Sequence, residues 1–281
     1  MKVIKKISVI YSTSKTIKNL LTKTQELINE VGSNLINSYS VNEITSNTAK
    51  KNLSNSDLIL VIGGDGTMLG SIRELNNLKI PFLGINVGRV GFLTDINPRN
   101  LSSLKDILRG DYIKEKRPIF KAFFSKSNQD IFINEVVIHS GSVAKMVDLE
   151  IGSEKDMIYK LRADGLIISS STGSTAYSYS GGGPILSPEV NALSMLPMFS
   201  HSSSSHSLIV SSENILKVKM KGNDSNNFDI VVDGKKNLSY SKSGLEISNT
   251  KKYFYLYHPK DYNYFHACRT KLGWAVPIEN L

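Results

Sequence analysis

Hydrophobic residues in the first part of the chain switch between strand-like and helix-like spacing. Strands are predicted at Val3–Tyr11, at Leu58–Ile62, where the continuous apolar run is typical of a parallel strand covered on both faces, and at Ile80–Ile85. Apolar residues recur at helical spacings of three and four at Ile17, Leu20, Leu21, Leu27, Ile28 and Val31, within Met68–Leu75, and at Leu101, Leu104, Ile107 and Leu108. This alternation predicts a Rossmann-like, doubly wound α/β domain.

The pattern changes beyond Arg117 and Pro118, where short segments of alternating apolar and polar residues follow one another between turn residues. These segments lie at 119–124, 131–139, 147–151, 166–169, 207–211, 228–232, 245–247 and 253–257. Many short strands predict a mostly antiparallel β-sandwich. We therefore expect an α/β domain at 1–115, a β-rich domain at 116–257, and a C-terminal tail at 258–281 that packs back on the first domain.

The composition is that of a globular protein, with 281 residues of which 40% are hydrophobic and 21% are charged. The single cysteine, Cys268, cannot form an internal disulfide, and no apolar run has the length of a signal peptide or a membrane span. We expect a cytoplasmic protein without a membrane partner. The net charge of +9 comes from scattered lysines and accompanies no nucleic-acid-binding motif, so no nucleic acid partner is expected.

A glycine-rich segment, Gly63–Thr67, lies between an apolar strand and a predicted helix. Glycines let the backbone approach phosphate oxygens, and the amides at a helix N-terminus favour negative charge. The segment predicts a site for a phosphorylated ligand, with Gly63, Gly64, Gly66 and Thr67 as phosphate contacts. Its spacing matches neither the dinucleotide fingerprint nor the P-loop, and by itself it could equally be a tight turn after a strand.

Asp65 is the acid among these glycines. A carboxylate beside a polyphosphate would be repelled unless it binds a cation or takes a proton. Phosphoryl transfer mainly requires a nucleophile held in line and charges that are neutralised, so a carboxylate hydrogen-bonded to the attacking hydroxyl suffices for orientation and late proton removal. We therefore predict that Asp65 is catalytic.

The segment Gly63–Thr67 resembles the GGDGT loop shared by NAD kinases, 6-phosphofructokinases and the diacylglycerol and sphingosine lipid kinases. A second block selects among them, because Asp164–Ser169, Thr172–Ser180 and Gly181–Pro184 resemble the NAD kinase signature. Further similar blocks are Val87–Thr94, Asn134–Glu135, His258–Tyr262 and Lys271–Trp274. The resemblance implies a bacterial-type NAD kinase, which transfers the terminal phosphoryl group of ATP to the 2′-hydroxyl of the adenosine ribose of NAD and gives NADP and ADP.

The resemblance also implies which residues hold the dinucleotide. Asn134, a donor and acceptor, and Glu135, an acceptor, would hold the ribose hydroxyls, and Lys145 and Arg162 would lie near the diphosphate. The nicotinamide and adenosine portions would contact Asp164, Thr175, Ala176, Tyr177, Ser178, Tyr179 and Ser180, while Asp65 and Gly66 complete the set. Without the resemblance, these residues would be an exposed turn, surface cations and a helix cap. Arg73 is a candidate ATP phosphate contact, although a solvated helix face explains it as well.

The chain departs from the family pattern in two loops. Ser170–Ser171 stands where the family reads Thr-Pro, and Ser200–Ser207 replaces a segment that commonly contains two prolines, an apolar residue at the place of Ser203 and an arginine at the place of His206. Replacing proline with serine loosens the backbone, so we expect reduced stability before lost activity. No ligand contact is transferred to Lys235, where many relatives carry glutamine or asparagine.

The implied partners are NAD and ATP, with Mg²⁺ or Mn²⁺ arriving as the complex with ATP. The histidines and the cysteine lack the spacing of a metal site, so no metal held by the protein alone is expected. The resemblance also implies a homodimer or homotetramer assembled through the β-rich domain. Two alternatives remain open: a lipid kinase with the same glycine loop, and a non-catalytic NAD-binding sensor.

Overall fold

The computed structural model describes residues 3–14, 17–88, 91–125, 128–141, 145–202, 205–221, 228–237 and 244–275. Contacts divide the chain into two compact units, Met1–Arg117 with Tyr253–Leu281, and Pro118–Lys252. The described helices are α1 (Ile17–Glu30), α2 (Asn47–Leu53), α3 (Asp65–Glu74), α4 (Ser102–Leu108), α5 (Tyr177–Ser180) and α6 (Tyr264–Leu272). The described strands are β1 (Lys6–Tyr11), β2 (Asn34–Ser40), β3 (Leu58–Gly63), β4 (Phe82–Asn86), β5 (Ile113–Phe123), β6 (Gln129–Phe132), β7 (Glu135–His139), β8 (Val147–Gly152), β9 (Met157–Ala163), β10 (Gly165–Ser170), β11 (Ala192–Met198), β12 (Leu208–Ser211), β13 (Leu216–Lys221), β14 (Asp229–Val232), β15 (Lys235–Asn237) and β16 (Leu245–His258).

The first unit is built on a parallel sheet with the strand order β2-β1-β3-β4. The C-terminal part of β16 lies parallel to β4, with Leu256 opposite Phe82. All six residues of β3 are buried, as expected for a central strand covered on both faces. Helix α1 buries Ile17, Leu20 and Leu27 with the core of this sheet, which confirms its predicted apolar face.

The second unit contains two sheets of antiparallel strands. One has the order β16-β13-β8-β9, and the other has the order β12-β11-β10-β7-β14-β15. Inward-facing side chains from both sheets form one hydrophobic core that includes Phe120, Val136, Leu149, Ile168 and Val218. The predicted fold class, an α/β domain followed by a mostly antiparallel β-sandwich, is confirmed.

Several strands were not among those predicted from the sequence. β2 has the polar sequence NLINSYS and pairs only with β1 among the described strands, and β13 alternates buried apolar residues with exposed lysines. The two short strands predicted at 245–247 and 253–257 form one continuous 14-residue strand, β16. The two halves meet at Lys251 and Lys252, which are exposed and polar. The apolar pattern is interrupted there, so the sequence does not indicate one continuous strand. Among the described residues, no helix combines the length and the apolar character that crossing a membrane requires.

Candidate active site

The glycine loop lies where the buried strand β3 passes into helix α3. Gly64 is the residue before the helix, and its carbonyl accepts hydrogen bonds from the amides of Thr67 and Met68. The first turn of α3 therefore contains Asp65, Gly66 and Thr67. Amides in the first turn of a helix lack partners within the helix, and the helix dipole favours negative charge there. The loop has the geometry of an anion site, while Arg73 lies in the last turn of α3 at its other end.

The carboxylate of Asp65 is held by the segment that follows β4. The amide of Phe92 donates to Oδ2 at 2.7 Å, and the amide of Leu93 donates to Oδ1 at 3.0 Å. The hydroxyl of Thr94 lies 3.3 Å from Oδ1 and donates to the same oxygen. A carboxylate offers about four acceptor positions, so Asp65 can still accept a hydroxyl proton from a ligand. The side chain is oriented by main-chain donors, and the residue is partly exposed.

Burial raises the pKa of Asp65 above its usual value, and the amides of Phe92 and Leu93, together with the charge of Lys271, oppose that rise. A carboxylate with a raised pKa is a stronger proton acceptor than an ordinary surface aspartate. Thr94 also lines a polar cavity of about 480 Å³ together with Asn86, Gly88, Asp95, Arg99 and Lys271.

In the second unit, Asp233 organises the corner that contains Asn134 and Glu135. Its carboxylate accepts hydrogen bonds from three consecutive amides, those of Ile133 at 2.9 Å, Asn134 at 2.8 Å and Glu135 at 3.2 Å. The amide of Asp233 returns a bond to the carbonyl of Glu135 at 3.0 Å. Sequence reasoning missed this residue, although an Asp-Gly pair after an apolar strand is a turn signal.

Glu135 differs chemically from its sequence-based assignment as an acceptor. Burial, followed by the nearby charge of Asp233, raises the pKa of Glu135 to about 8, while a hydrogen bond from the main chain of Tyr177 opposes the rise. The protonated form therefore predominates at neutral pH. A protonated carboxyl group can donate as well as accept a hydrogen bond, so Glu135 suits a hydroxyl group in either role.

The main chain of the turn at 170–175 packs directly against the main chain of Asn134. A Cβ atom on Gly173 would lie 2.2 Å from the carbonyl oxygen of Asn134, so only glycine fits there. The amide of Ser170 donates to the same oxygen at 2.8 Å, and the hydroxyl of Ser170 donates to the carbonyl of Ile133. The structure thus brings Asn134 and Glu135 close to the start of the segment 175–180.

The other predicted dinucleotide contacts vary in exposure. Within 175–180, Tyr177 and Ser180 are exposed, Thr175, Ala176 and Tyr179 are half-buried, and Ser178 is fully buried. Lys145 is exposed just before β8, and Arg162 is exposed on β9 with its Nε 3.8 Å from Oδ1 of Asp148. Asp164 lies between β9 and β10, and its main chain bonds to Ser140 and Met198.

The two serine-rich segments that depart from the family pattern differ in their hydrogen bonds. At 170–174, the hydroxyl of Ser170 accepts from the amide of Gly173, and the hydroxyl of Ser174 donates to the carbonyl of Ser171. The hydroxyl of Ser171, at the place of the family proline, is buried without a hydrogen-bond partner among the described atoms, which is unfavourable. In the other loop, the amide of His201 donates to Arg162, while Ser203 lies outside the described residues.

A buried ionic cluster in the first unit was not predicted from the sequence. His258, only 1% exposed, contacts Asp95 through Nδ1 and lies 3.0 Å from Oε2 of Glu115 through Nε2. Arg117, also 1% exposed, binds the same Glu115 oxygen at 2.8 Å, and the ring of Tyr262 stacks on His258 at 3.9 Å. The signal was present, because His258 continues the alternation of buried positions that Phe254 and Leu256 begin in β16.

Replacing Glu135 with glutamine should flatten the dependence of stability on pH. The pKa of Glu135 is 4.5 in the unfolded chain and about 8 in the folded one, so between these values the folded state binds more protons. The free energy of unfolding should therefore fall as the pH rises through this interval, and less so in Glu135→Gln. Urea unfolding at a series of pH values measures this. Glu189→Gln, at an exposed position, is the control, and equal slopes in wild type and Glu135→Gln would contradict the assignment.

Comparison with known proteins matches the chain to two domain families. Residues 3–112 match the ATP-NAD kinase N-terminal domain, and residues 133–258 match the ATP-NAD kinase C-terminal domain. The NAD kinase of Photorhabdus laumondii is 42% identical over 226 residues, which cover 78% of this chain and 77% of that protein. The NAD kinase of Marinobacter nauticus is 40% identical over 229 residues, which cover 79% and 78%.

Solved structures show the same fold. An NAD kinase from Archaeoglobus fulgidus in complex with ATP superposes with a TM-score of 0.76 at 24% identity, covering 95% of this chain and 98% of that one. Yeast NADH kinase complexed with NADH superposes with a TM-score of 0.82 at 19% identity, covering 99% and 89%. Neither the lipid kinase nor the non-catalytic sensor is supported by these matches. On the two domain matches and the identities of about 40%, the chain belongs to the ATP-NAD kinase family.

Proposed function

We propose that this NAD kinase transfers the terminal phosphoryl group of ATP to the 2′-hydroxyl of the adenosine ribose of NAD, with Asp65 as the catalytic residue. The observation that carries the proposal is the placement of Asp65. It is the one acid in the first turn of α3, and main-chain amides fix both of its carboxylate oxygens. Family membership supports the reaction, and this geometry supports Asp65 as the group that acts on the hydroxyl.

The proposed step is an in-line displacement. The 2′-oxygen forms a bond to the terminal phosphorus of ATP as the bond from that phosphorus to the bridging oxygen breaks, and ADP leaves with that oxygen. The hydroxyl proton passes to the carboxylate of Asp65 late in the transfer. Gly63, Gly64, Gly66 and Thr67 would contact the phosphates of ATP at the start of α3, although the amide of Thr67 already donates to the carbonyl of Gly64. Arg73 lies in the last turn, at the other end of α3, so no phosphate contact is proposed for it.

The second unit supplies the proposed NAD-binding residues. Asn134 and the protonated Glu135 suit the ribose hydroxyls, because each can donate and accept. Lys145 and Arg162 are exposed cations that suit a diphosphate. The nicotinamide and adenosine portions are assigned to Asp164, Thr175, Ala176, Tyr177, Tyr179 and Ser180, while the buried Ser178 supports the turn beneath them.

Three wider features belong to the proposal. ATP would act as its Mg²⁺ or Mn²⁺ complex, with the cation held mainly by phosphate oxygens. The enzyme would work in the cytoplasm as a homodimer or homotetramer assembled through the β-rich unit. Phe199, Leu208 and Ile209 support that assembly, because they are large apolar residues that are exposed on this unit, the latter two on strand β12 at the end of its sheet.

The test is an assay of NADP formation. Purified protein is incubated with NAD, ATP and Mg²⁺, and NADP is measured with an NADP-specific dehydrogenase. We expect NADP to accumulate only when both substrates are present. Binding of NAD without NADP formation would overturn the proposal in favour of a sensor, and phosphorylation of diacylglycerol or sphingosine in vesicles with NAD left unchanged would overturn it in favour of a lipid kinase.

A further inference from the structure

Lys271, in the last turn of the C-terminal helix α6, contacts the same short segment that holds Asp65. Its ammonium group donates a hydrogen bond to the carbonyl of Gly91 and lies 3.7 Å from Oδ1 of Asp95. It also lies 5.4 Å from the centre of the Phe92 ring. Gly91 and Asp95 are the first and last residues of the run Gly91–Asp95. The ammonium group of Lys271 therefore contacts both ends of this segment.

The segment itself has little freedom to compensate. A Cβ atom on Gly91 would lie 2.4 Å from the hydroxyl of Thr94 and 2.6 Å from the carbonyl oxygen of Thr94, so the turn is closed as tightly as a glycine permits. Phe92, Leu93 and Thr94, which lie between the two ends, are the three residues that donate to the carboxylate of Asp65. A change in the conformation of this turn would therefore move the groups that donate to Asp65.

Asp95, the second residue that Lys271 contacts, is itself held in place. Asp95, whose side chain is 10% exposed, is bound through its second oxygen to the buried His258, which also binds Glu115. A cation in the last turn of a helix is stabilised by the dipole of that helix. Here the ammonium of Lys271 is instead directed to Gly91 and Asp95, so helix stabilisation alone does not explain its position.

We propose that Lys271 is a positioning residue for phosphoryl transfer, because its ammonium group joins Gly91 to Asp95 and thereby sets the geometry of the amides that orient Asp65. The inference rests on the catalytic role proposed for Asp65. The charge of Lys271 also lowers the pKa of Asp65 against the rise caused by burial, so the same side chain influences both the direction and the ionisation of the carboxylate. The charged and titratable groups around this arrangement include Asp95, with His258 behind it, and Arg99, which lines the same cavity. From α6 they include Cys268 and Tyr264, whose ring contacts Phe92.

The test compares Lys271→Met, Lys271→Arg and the control Lys260→Met. Methionine keeps most of the length of the side chain and removes the charge and the donors, whereas arginine keeps both. Lys260 belongs to the same C-terminal segment and pairs with Asp111 at 3.4 Å, but it is 58% exposed. We expect kcat of Lys271→Met to fall by about 10- to 100-fold, because a small misplacement of a catalytic group has effects of this size, while the other two variants stay close to wild type.

A second readout separates positioning from simple loss of stability. In Lys271→Met the pKa of Asp65 should rise, so the acid limb of the pH profile of kcat should move to higher pH; in Lys271→Arg it should not. Thermal unfolding checks that each variant is folded. If the methionine variant does not fold, Lys271→Gln replaces it, since it keeps a donor for Gly91 without the charge and should still move the acid limb.

The results that would overturn the role of Lys271 differ from those that would overturn the proposed function of the enzyme. Wild-type kcat and an unmoved acid limb in folded Lys271→Met or Lys271→Gln would overturn the role of Lys271 and leave the function of the enzyme intact. Equal losses in the arginine and methionine variants, each with an unmoved limb, would also overturn it. If the wild-type protein forms no NADP, the proposed function fails instead. If Asp65→Asn keeps most of the rate, the catalytic role of Asp65 fails, and the role of Lys271 fails with it.

Discussion

Replacing Asp65 with asparagine is expected to lower kcat for NADP formation by about 100- to 10,000-fold, the range over which a positioned general base accelerates a reaction. Asparagine preserves the size of the side chain but cannot accept the hydroxyl proton. Its amide group would also place N–H donors opposite the donating amides of Phe92 and Leu93, which would turn the side chain. Steady-state kinetics of NADP formation measures the loss, and calorimetric titration with NAD checks that binding of the acceptor persists.

Asp57→Asn is a matched control for this substitution. Asp57 lies in the same unit and also accepts from main-chain amides, with one oxygen 3.3 Å from the amide of Lys5 and 2.9 Å from that of Lys6. The same chemical change is thus made where no phosphate loop is present, and kcat should be unchanged. An Asp65→Asn enzyme that keeps more than a tenth of the wild-type rate would show that the carboxylate is not the proton acceptor.

Replacing His258 with leucine is expected to lower the free energy of unfolding by about 3–5 kcal/mol, because removal of one partner leaves the other charges of a buried cluster uncompensated. Here the groups that lose a partner are the carboxylates of Asp95 and Glu115, which His258 contacts through its two ring nitrogens. Glu115 keeps Arg117, whereas among the described residues Asp95 keeps only the ammonium group of Lys271 at 3.7 Å, so most of the cost falls on Asp95. Urea denaturation at neutral pH measures the change. His201→Leu, at an exposed position in the second unit, should change stability by no more than about 0.5 kcal/mol.

The same substitution should alter the response to pH. Burial alone would lower the pKa of His258, but hydrogen bonds and charge from Asp95 and Glu115 raise it above 6.5. A raised folded-state pKa gives stability that is fully present below pH 6.5 and is lost as the pH rises through the folded value. Wild type should lose stability over that interval, and His258→Leu should lose less. A variant as stable as wild type, with the same pH dependence, would contradict a charged His258.

Much of the fold could be predicted because burial imposes a local pattern. β3 is apolar at every position since it is covered on both faces, and α1 repeats at three and four since one face packs on the core. β2 escaped prediction because a strand with few buried residues carries little apolar pattern. β13 does alternate buried apolar residues with exposed lysines, so the local pattern indicates a strand there that the predicted segments left out. The continuity of β16 depends on pairing with distant strands, which local periodicity does not encode.

Some residues of the candidate site could likewise be predicted from the sequence, and others could not. The glycine loop with Asp65, and the pair Asn134–Glu135, were predictable because their chemistry is carried by residue type at short spacing. What holds them was not predictable, because the donors to Asp65 are mostly main-chain amides and Asp233 reaches Glu135 from 98 positions away in the chain. The raised pKa of Glu135 likewise depends on burial and on that distant carboxylate, neither of which is visible in the local sequence.

The absence of a side chain at Gly173 has a consequence for the way a dinucleotide would be recognised. Because the backbone of this turn rests on the carbonyl group of Asn134, the two strand ends that carry the proposed contacts form a single preassembled body. Little conformational entropy would then be lost when NAD arrives. Selectivity for the bound nucleotide would then depend on the side chains that this framework carries, such as the exposed Tyr177.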